Sequence, residues 1–370
     1  MDTDAIVLES YSKRLVEQAG PGPLALQLCS AETYDHDLLR RVPKAITEAD
    51  YGCGNPSKWA QPGDAVLDLG SGSGKICYIL SQIVGSAGKV IGVDMNRDML
   101  ALARKHQAEF ACDVGYDNMT FLMGRIQDLQ TNLELIDSML SNNPVSNISS
   151  YLELEQAVRK SAVEQPLVED NSVDLIVSNC VINLVRAEDK SGVFREMFRV
   201  LRPGGRIAIS DNVSSVDVSN DIKNDPQLWA TCYGGVFQEQ KFYAELEAAG
   251  FAGIRIEVRR EIPNRSIGNV HFRSVTVTAT KPSALRESCC GNKRAQEVVY
   301  RGPWKEVVDD RGNQFKRGHL TAVTSAQWET LSRNSYRDEM IFVGSEDLST
   351  QGARRGQTDP ASDTKSSCCS

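Results

Sequence analysis

None of the ten cysteines in this 370-residue chain stands in a CxxC pair. That absence argues against zinc ribbons and fingers, whose ligands come in short-spaced couples. The four histidines, at 36, 106, 271 and 319, show no metal-ligand spacing either. No apolar run approaches the ~18 residues that a membrane span requires. The start, Met1-Asp-Thr-Asp-Ala-Ile6, has no basic stretch followed by an apolar one, so no secretory leader is expected. Positive charge is scarce too. With 41 Lys and Arg against 49 Asp and Glu, the net charge of −8 argues against a nucleic-acid footprint. The expectation is a cytoplasmic protein with neither membrane nor nucleic acid as partner, its thiols held reduced.

What is present is a pattern of alternating strands and helices. Residues 1–60 are polar, with helical stretches at Ala5–Gln18 and Glu32–Arg41, and carry Cys29 and Cys53. From 61 to 282 the chain reads as one domain. It runs strand Ala65–Asp68, a glycine-rich turn at 70–74, helix Lys75–Val84, strand Lys89–Val93, helix Arg97–Phe110 and strand Asn118–Met123. Such alternation predicts a parallel, doubly wound α/β sheet. An Asn-, Ser- and Glu-rich insertion at about 128–169 interrupts it, with one helical stretch near Tyr151–Glu164, and is expected on the surface and partly mobile. Strands at Ser172–Ser178, Arg206–Ser210, Ile254–Val258 and Ser274–Thr280 bring the count to seven, with helices at Gly192–Val200 and 238–249. Residues 283–345 read as a small C-terminal domain and 346–370 as a disordered tail.

The turn Asp68-Leu-Gly70-Ser-Gly72-Ser-Gly74 lies between a buried strand and a helix, and Asp94 ends the next strand. An acid there can accept hydrogen bonds from both ribose hydroxyls. A dinucleotide fingerprint fails, because its last glycine falls on Lys75 or Cys77; a P-loop fails at Leu69 and Ile76. What remains resembles motifs I and II of class I S-adenosylmethionine-dependent methyltransferases. Arg199-Val-Leu-Arg-Pro-Gly-Gly205 resembles the loop ahead of that superfamily's fifth strand. The resemblance implies a seven-stranded Rossmann-like sheet and S-adenosylmethionine as co-substrate. It also implies that Gly70, Gly72 and Gly74 approach the methionine part while Asp68 helps hold its amino group. Asp94 would bind ribose, Met95 pack near adenine, and Ile126 and Gln127 border the adenine edge; for Met95 and Ile126, plain core packing is an equal alternative.

Ligands of an open α/β sheet collect beyond the carboxyl ends of its strands. Asn179 and Cys180 stand at such an end, facing the methyl donor. Together, Ser178-Asn-Cys-Val-Ile-Asn-Leu-Val185, Tyr51-Gly-Cys-Gly54 and Leu228-Trp-Ala-Thr-Cys-Tyr-Gly-Gly235 resemble the arsenite methyltransferases, over about Leu24 to Thr280. This resemblance implies that Cys53, Cys180 and Cys232 bind and methylate trivalent arsenic, presented as arsenite or its thiol conjugates. It implies mono- and dimethylated products, with trimethylation open, and glutathione or thioredoxin as reductant. Cys29 would form a disulfide with Cys53 during the redox steps, and Tyr51 would lie near the methionine end of the cofactor. Thiolates do select a soft element over hard ions, and three of them leave one arsenic lone pair to be aligned with the methyl group. The chain departs from the family at Asp50, where an aromatic is common, and in the Leu26-Gln-Leu-Cys29-Ser setting. Cys77 and Cys112 read as ordinary core or partly exposed thiols. Cys289-Cys290 resembles a thiol pair that some of the family keep, for product or thiol exchange, with accidental adjacency an equal alternative. Cys368-Cys369, on the expected tail, could deliver arsenic to the site, and lipidation has little support because the last four residues start with Ser367. Two rivals remain: a class I methyltransferase with a carbon or oxygen acceptor, and a non-catalytic metalloid-binding protein.

Overall fold

The computed structural model describes residues 3–16, 34–49, 52–282, 296–309, 311–333 and 336–343. Cys29, Asp50, Tyr51, Cys289, Cys290, Cys368, Cys369 and the stretch read as a tail lie outside them. The central sheet contains β1 (Ala65–Leu69), β2 (Lys89–Asp94), β3 (Met119–Met123), β4 (Val173–Asn179), β5 (Leu201–Ser214), β6 (Phe237–Gln238), β7 (Ala252–Arg259), β8 (Arg265–Ile267) and β9 (Val270–Thr280). Seven of them follow the order β3-β2-β1-β4-β5-β9-β7, with β6 beside β5 and β8 beside β9. Pairing is parallel from β3 through β5, while β9 runs antiparallel to both β5 and β7. This is the class I methyltransferase sheet.

Successive side chains of a strand point to opposite faces, and the two faces have separate cores. Val66, Leu175 and Val177 pack with Tyr78, Leu80 and Phe121. Leu67, Leu69 and Ile176 pack with Phe194, Met197 and Phe242. Helix Lys75–Val84 has its predicted ends because glycines bound it, Gly74 at φ 90° and Gly85 at φ 69°. The predicted helix Arg97–Phe110 is divided instead. His106, with φ −100° and ψ 0°, separates Arg97–Lys105 from Gln107–Val114. The second piece brings Phe110 edge-on to Tyr78 at 4.8 Å.

The insertion contains two helices rather than one, Leu133–Asn142 and Ile148–Glu164, neither with a buried residue. At the C-terminal side, strands Gln296–Tyr300, Leu320–Val323 and Met340–Val343 form a second, antiparallel sheet. With helix Ser325–Arg333 and hairpin 306–316 it has a small core of its own, built on Val298, Tyr300, Phe315, Leu331 and Met340. Among the described residues no helix is long and apolar enough to cross a membrane.

Candidate active site

A cavity opens at the carboxyl ends of β1, β2 and β4. Asp68, Gly70, Gly72, Asp94, Met95, Ile126, Gln127, Asn179 and Cys180 all line it. Gly70 must be glycine: at φ 70°, a Cβ there would lie 2.3 Å from Val181 Cγ1. Gly74 has a different place from its two neighbours. It does not line the cavity but caps helix Lys75–Val84, where a Cβ would sit 2.9 Å from the Phe121 ring. It allows helix and sheet to pack closely.

The Gly72 amide donates to Asp94 Oδ2 at 2.8 Å, and Asn96 N donates to Asp94 Oδ1 at 2.8 Å. Burial raises the Asp94 carboxyl, against these amide donors. Asp68, 2% exposed, is pushed up to about 7. Burial is the main cause and the charge of Asp94 adds to it, while the Cys77 thiol, donating to Asp68 Oδ2 at 3.2 Å, opposes the rise. Cys77 thus acts on a cavity residue from behind, while Cys112 is an exposed thiol.

Sequence reading missed two parts of this cavity. The first helix, α1 (Thr3–Val16), supplies Asp4, Val7, Leu8 and Tyr11 as one wall. Arg186 pairs with Asp4 at 3.3 Å, and Asn96 Nδ2 donates to Ser12 Oγ at 3.2 Å, so α1 is tied to both rims. The other is Lys75, the cation among the described lining residues. It is 8% exposed, with Nζ 4.1 Å from the Tyr34 ring centroid. Neither carries a sequence motif, since a wall of this kind is defined only by what it packs on.

Cys53, Cys180 and Cys232, from three remote stretches, are buried in one cluster with Tyr233, Phe272, Val218 and Ile222. Cys53 is joined to Cys180 by a disulfide closing a separation of 127 residues. The resemblance implies Cys29 as the partner of Cys53 in the redox steps; the partner in this structure is Cys180. Cys232 donates its thiol to the Cys180 carbonyl at 3.2 Å. Cys180 and Cys232 have φ of 60° and 64°, a left-handed region that costs a side-chain-bearing residue ~1–2 kcal/mol. Hydrogen bonds hold both there, from Cys180 N to Ser210 O at 2.8 Å and from Cys232 N to Trp229 O at 3.0 Å.

Asn179 lines the cavity, yet its amide serves the Cys53 loop. Its Oδ1 accepts from Cys53 N at 2.8 Å and Gly54 N at 3.1 Å, while Nδ2 donates to Gly54 O at 2.9 Å. Beneath the sulfurs sits Asp211, 2% exposed, with a carboxylate oxygen within 4.8 Å of Sγ of both Cys53 and Cys180. It accepts from Ile182 N at 3.0 Å and Asn183 Nδ2 at 2.8 Å, and burial lifts it to about 6. Lys190 donates to the Gly235 carbonyl and lies 4.3 Å over the Phe237 ring; burial holds it down to about 8. Asp211, Asn212 and Lys190 were also missed by sequence reading. The polar pair 211–212 at a strand's carboxyl half is a signal that could have found the first two.

A family model for a methyltransferase domain matches residues 60–164 and 152–250, and one for a domain of unknown function matches 286–367. An arsenite methyltransferase of Aquipseudomonas alcaligenes is 31% identical over 317 residues, 83% of this chain and 81% of the relative. One from Mus musculus is 29% identical over 324 residues, 84% and 75% of the two chains. Among solved structures, an arsenic(III) S-adenosylmethionine methyltransferase of Chlamydomonas reinhardtii matches with a TM-score of 0.55 and 26% identity, covering 88% of this chain and 97% of that one. With the first of these relatives 31% identical over four-fifths of both chains, this chain belongs to the arsenite methyltransferase family of class I S-adenosylmethionine-dependent enzymes.

Proposed function

We propose that this protein methylates trivalent arsenic held by Cys53, Cys180 and Cys232, yielding mono- and dimethylated arsenicals from arsenite or its thiol conjugates. One observation carries the reading: three buried cysteines from remote stretches meet where the cofactor cavity ends, with Cys180 on its wall. S-adenosylmethionine supplies an electrophilic sulfonium methyl group when bound. Its charges suit the cavity, which is lined by Asp68 for the ammonium group and Lys75 for the carboxylate. Asp94 accepts from the ribose hydroxyls, Asp68 takes the ammonium group, and Gly70 and Gly72 admit the methionine part. Met95, Ile126 and Gln127 would border the adenine, in a cavity that Leu8 and Tyr11 of α1 also line. Asn179 holds the Cys53 loop, and Tyr51 is assigned to the methionine end by the family resemblance alone.

Thiolates bind arsenic through its soft orbitals and fix its lone pair toward the methyl group. The lone pair forms the arsenic–carbon bond as the carbon–sulfonium bond breaks, which leaves arsenic formally pentavalent. Two cysteine thiolates then join in a disulfide, and their two electrons return arsenic to the trivalent state. A thiol reductant, glutathione or thioredoxin, reopens the disulfide, with Cys29 as a relay to Cys53. That requirement suits a reducing cytoplasm.

The test is to incubate the purified protein with arsenite, S-adenosylmethionine and thiol, then separate the arsenic species by chromatography. Methylated arsenicals are expected; unmethylated arsenic alone rejects the reading. Cys53→Ser, Cys180→Ser and Cys232→Ser should each abolish arsenite methylation while keeping the cofactor dissociation constant near wild type.

A further inference from the structure

Cys180 receives a hydrogen bond whose direction is set from outside the site. Asn212, 1% exposed on β5, points Nδ2 at Cys180 Sγ from 3.8 Å. Its Oδ1 accepts from Asn264 Nδ2 at 3.1 Å. Asn264 Oδ1 in turn accepts from Arg260 Nη1 at 3.5 Å. The chain thus runs from the segment between β7 and β8, through β5, to the sulfur.

An isolated carboxamide presents either its oxygen or its nitrogen with little difference in shape. A guanidinium group only donates. Arg260 therefore requires the oxygen of Asn264, which leaves the Asn264 N–H groups for Asn212. Asn212 must then accept with its oxygen, and its N–H groups face the sulfur. A charged donor at one end fixes the polarity of both amides, and the bonds reinforce one another along the chain. The backbone anchors every link. Arg260 N donates to Ser274 O at 3.1 Å and Asn264 N to Phe272 O at 2.8 Å, both on β9. The Asn212 carbonyl accepts from Asn183 Nδ2 at 2.8 Å, and its amide donates to Asp211 Oδ1 at 2.8 Å.

Resting on the arsenic reading above, we propose that Arg260, Asn264 and Asn212 form a directional relay that positions the Cys180 sulfur as an arsenic ligand. A cysteine sulfur has three staggered positions open to it, and a single donor aimed at it favours one. The N–H group bonds a lone pair that the sulfur keeps whether it is in a disulfide, a thiolate or a bond to arsenic. All three are positioning residues, acting through Cys180 without touching the methyl donor.

The test uses the full-length protein reduced with a phosphine, which brings no competing thiol. Arsenite affinity is read from Trp fluorescence, since Trp229 donates through Nε1 to Leu184 O beside the cysteine cluster. Cofactor affinity is measured in parallel to verify folding. Asn212→Asp puts an acceptor against the sulfur. Arg260→Glu replaces a donor by an acceptor and turns the relay round from its far end. Each should weaken arsenite binding, and raise KM for arsenite more than it lowers kcat, by about tenfold, the scale of one charge-assisted hydrogen bond. Asn264→Asp accepts from Arg260 with one oxygen and offers Asn212 only the other, so it too turns Asn212 round and should match Arg260→Glu. Arg260→Lys, also a pure donor, should stay within about twofold of wild type on that scale. Arsenite affinity unchanged in Asn212→Asp overturns the relay, as does equal damage from Arg260→Lys and Arg260→Glu. If wild type neither binds nor methylates arsenite, the arsenic reading itself fails.

Discussion

Two candidate arsenic ligands, Cys180 and Cys232, occupy left-handed backbone positions that a side chain disfavours. Their identity was readable from the sequence because the flanking residues form recognisable stretches. Their geometry was not, because it depends on carbonyls contributed by Ser210 and Trp229. The same holds for Asp68, legible as a candidate cofactor residue but not as a buried acid leaning on Cys77. Its carboxyl rises from 3.8 to about 7 on folding, so the folded state binds the proton more tightly than the unfolded chain does. The stability it contributes is full below 3.8, declines as the pH climbs toward 7, and is absent above that. In its proposed role Asp68 gives cofactor binding the opposite preference, since only the carboxylate attracts an ammonium group. Calorimetric titration should therefore find S-adenosylmethionine binding more weakly as pH falls below 7, by up to about tenfold per unit. Asp68→Asn should bind weakly at every pH. A flat wild-type profile would remove Asp68 from the cofactor site.

Among the elements, those with local punctuation were read most closely. Helix Lys75–Val84 and strands β1 to β4 lie within a residue or two of expectation, because glycines and short apolar runs delimit them. Helix Leu133–Asn142 was overlooked despite its start signal, Asn132, whose side chain accepts from Glu134 N and Leu135 N. An overall Asn- and Ser-rich composition outweighed a single cap. The helix Ile148–Glu164 exposes Ile148, Tyr151 and Leu152 at 70%, 50% and 54%. Serine at any of them should change stability by less than about 0.5 kcal/mol in a denaturant titration; a larger loss would mean that this face is covered. The α1 helix has the opposite character. Leu8→Asp puts a charge on the cavity wall and should weaken cofactor binding by about tenfold or more, while the midpoint of cofactor-free unfolding moves little. Equal affinity in wild type and variant would show that α1 takes no part in the site.

For the whole molecule, the decisive feature is convergence. Cys53 and Cys180 are 127 residues apart in sequence and covalently joined in the structure. A closure of that length restricts the unfolded chain and is worth about 4–5 kcal/mol of stability by chain entropy. The oxidised protein should therefore unfold at a higher denaturant concentration than the phosphine-reduced one, and only the reduced one should bind arsenite. Arsenite binding to protein with this disulfide intact, verified by peptide mass spectrometry, would remove the pair from the ligand set. The sequence by itself determined the alternation of strands and helices, the cofactor loop with its acid twenty residues on, and which cysteines deserve interest, since each of these is written in local spacing and residue type. Tertiary structure alone decided which sulfurs meet, that α1 and Lys75 line one cavity with the glycine turn, and that Arg260 and Asn264 reach Cys180 through Asn212. These are contacts between remote segments, fixed by the order of strands and the closeness of packing, and no local pattern encodes them.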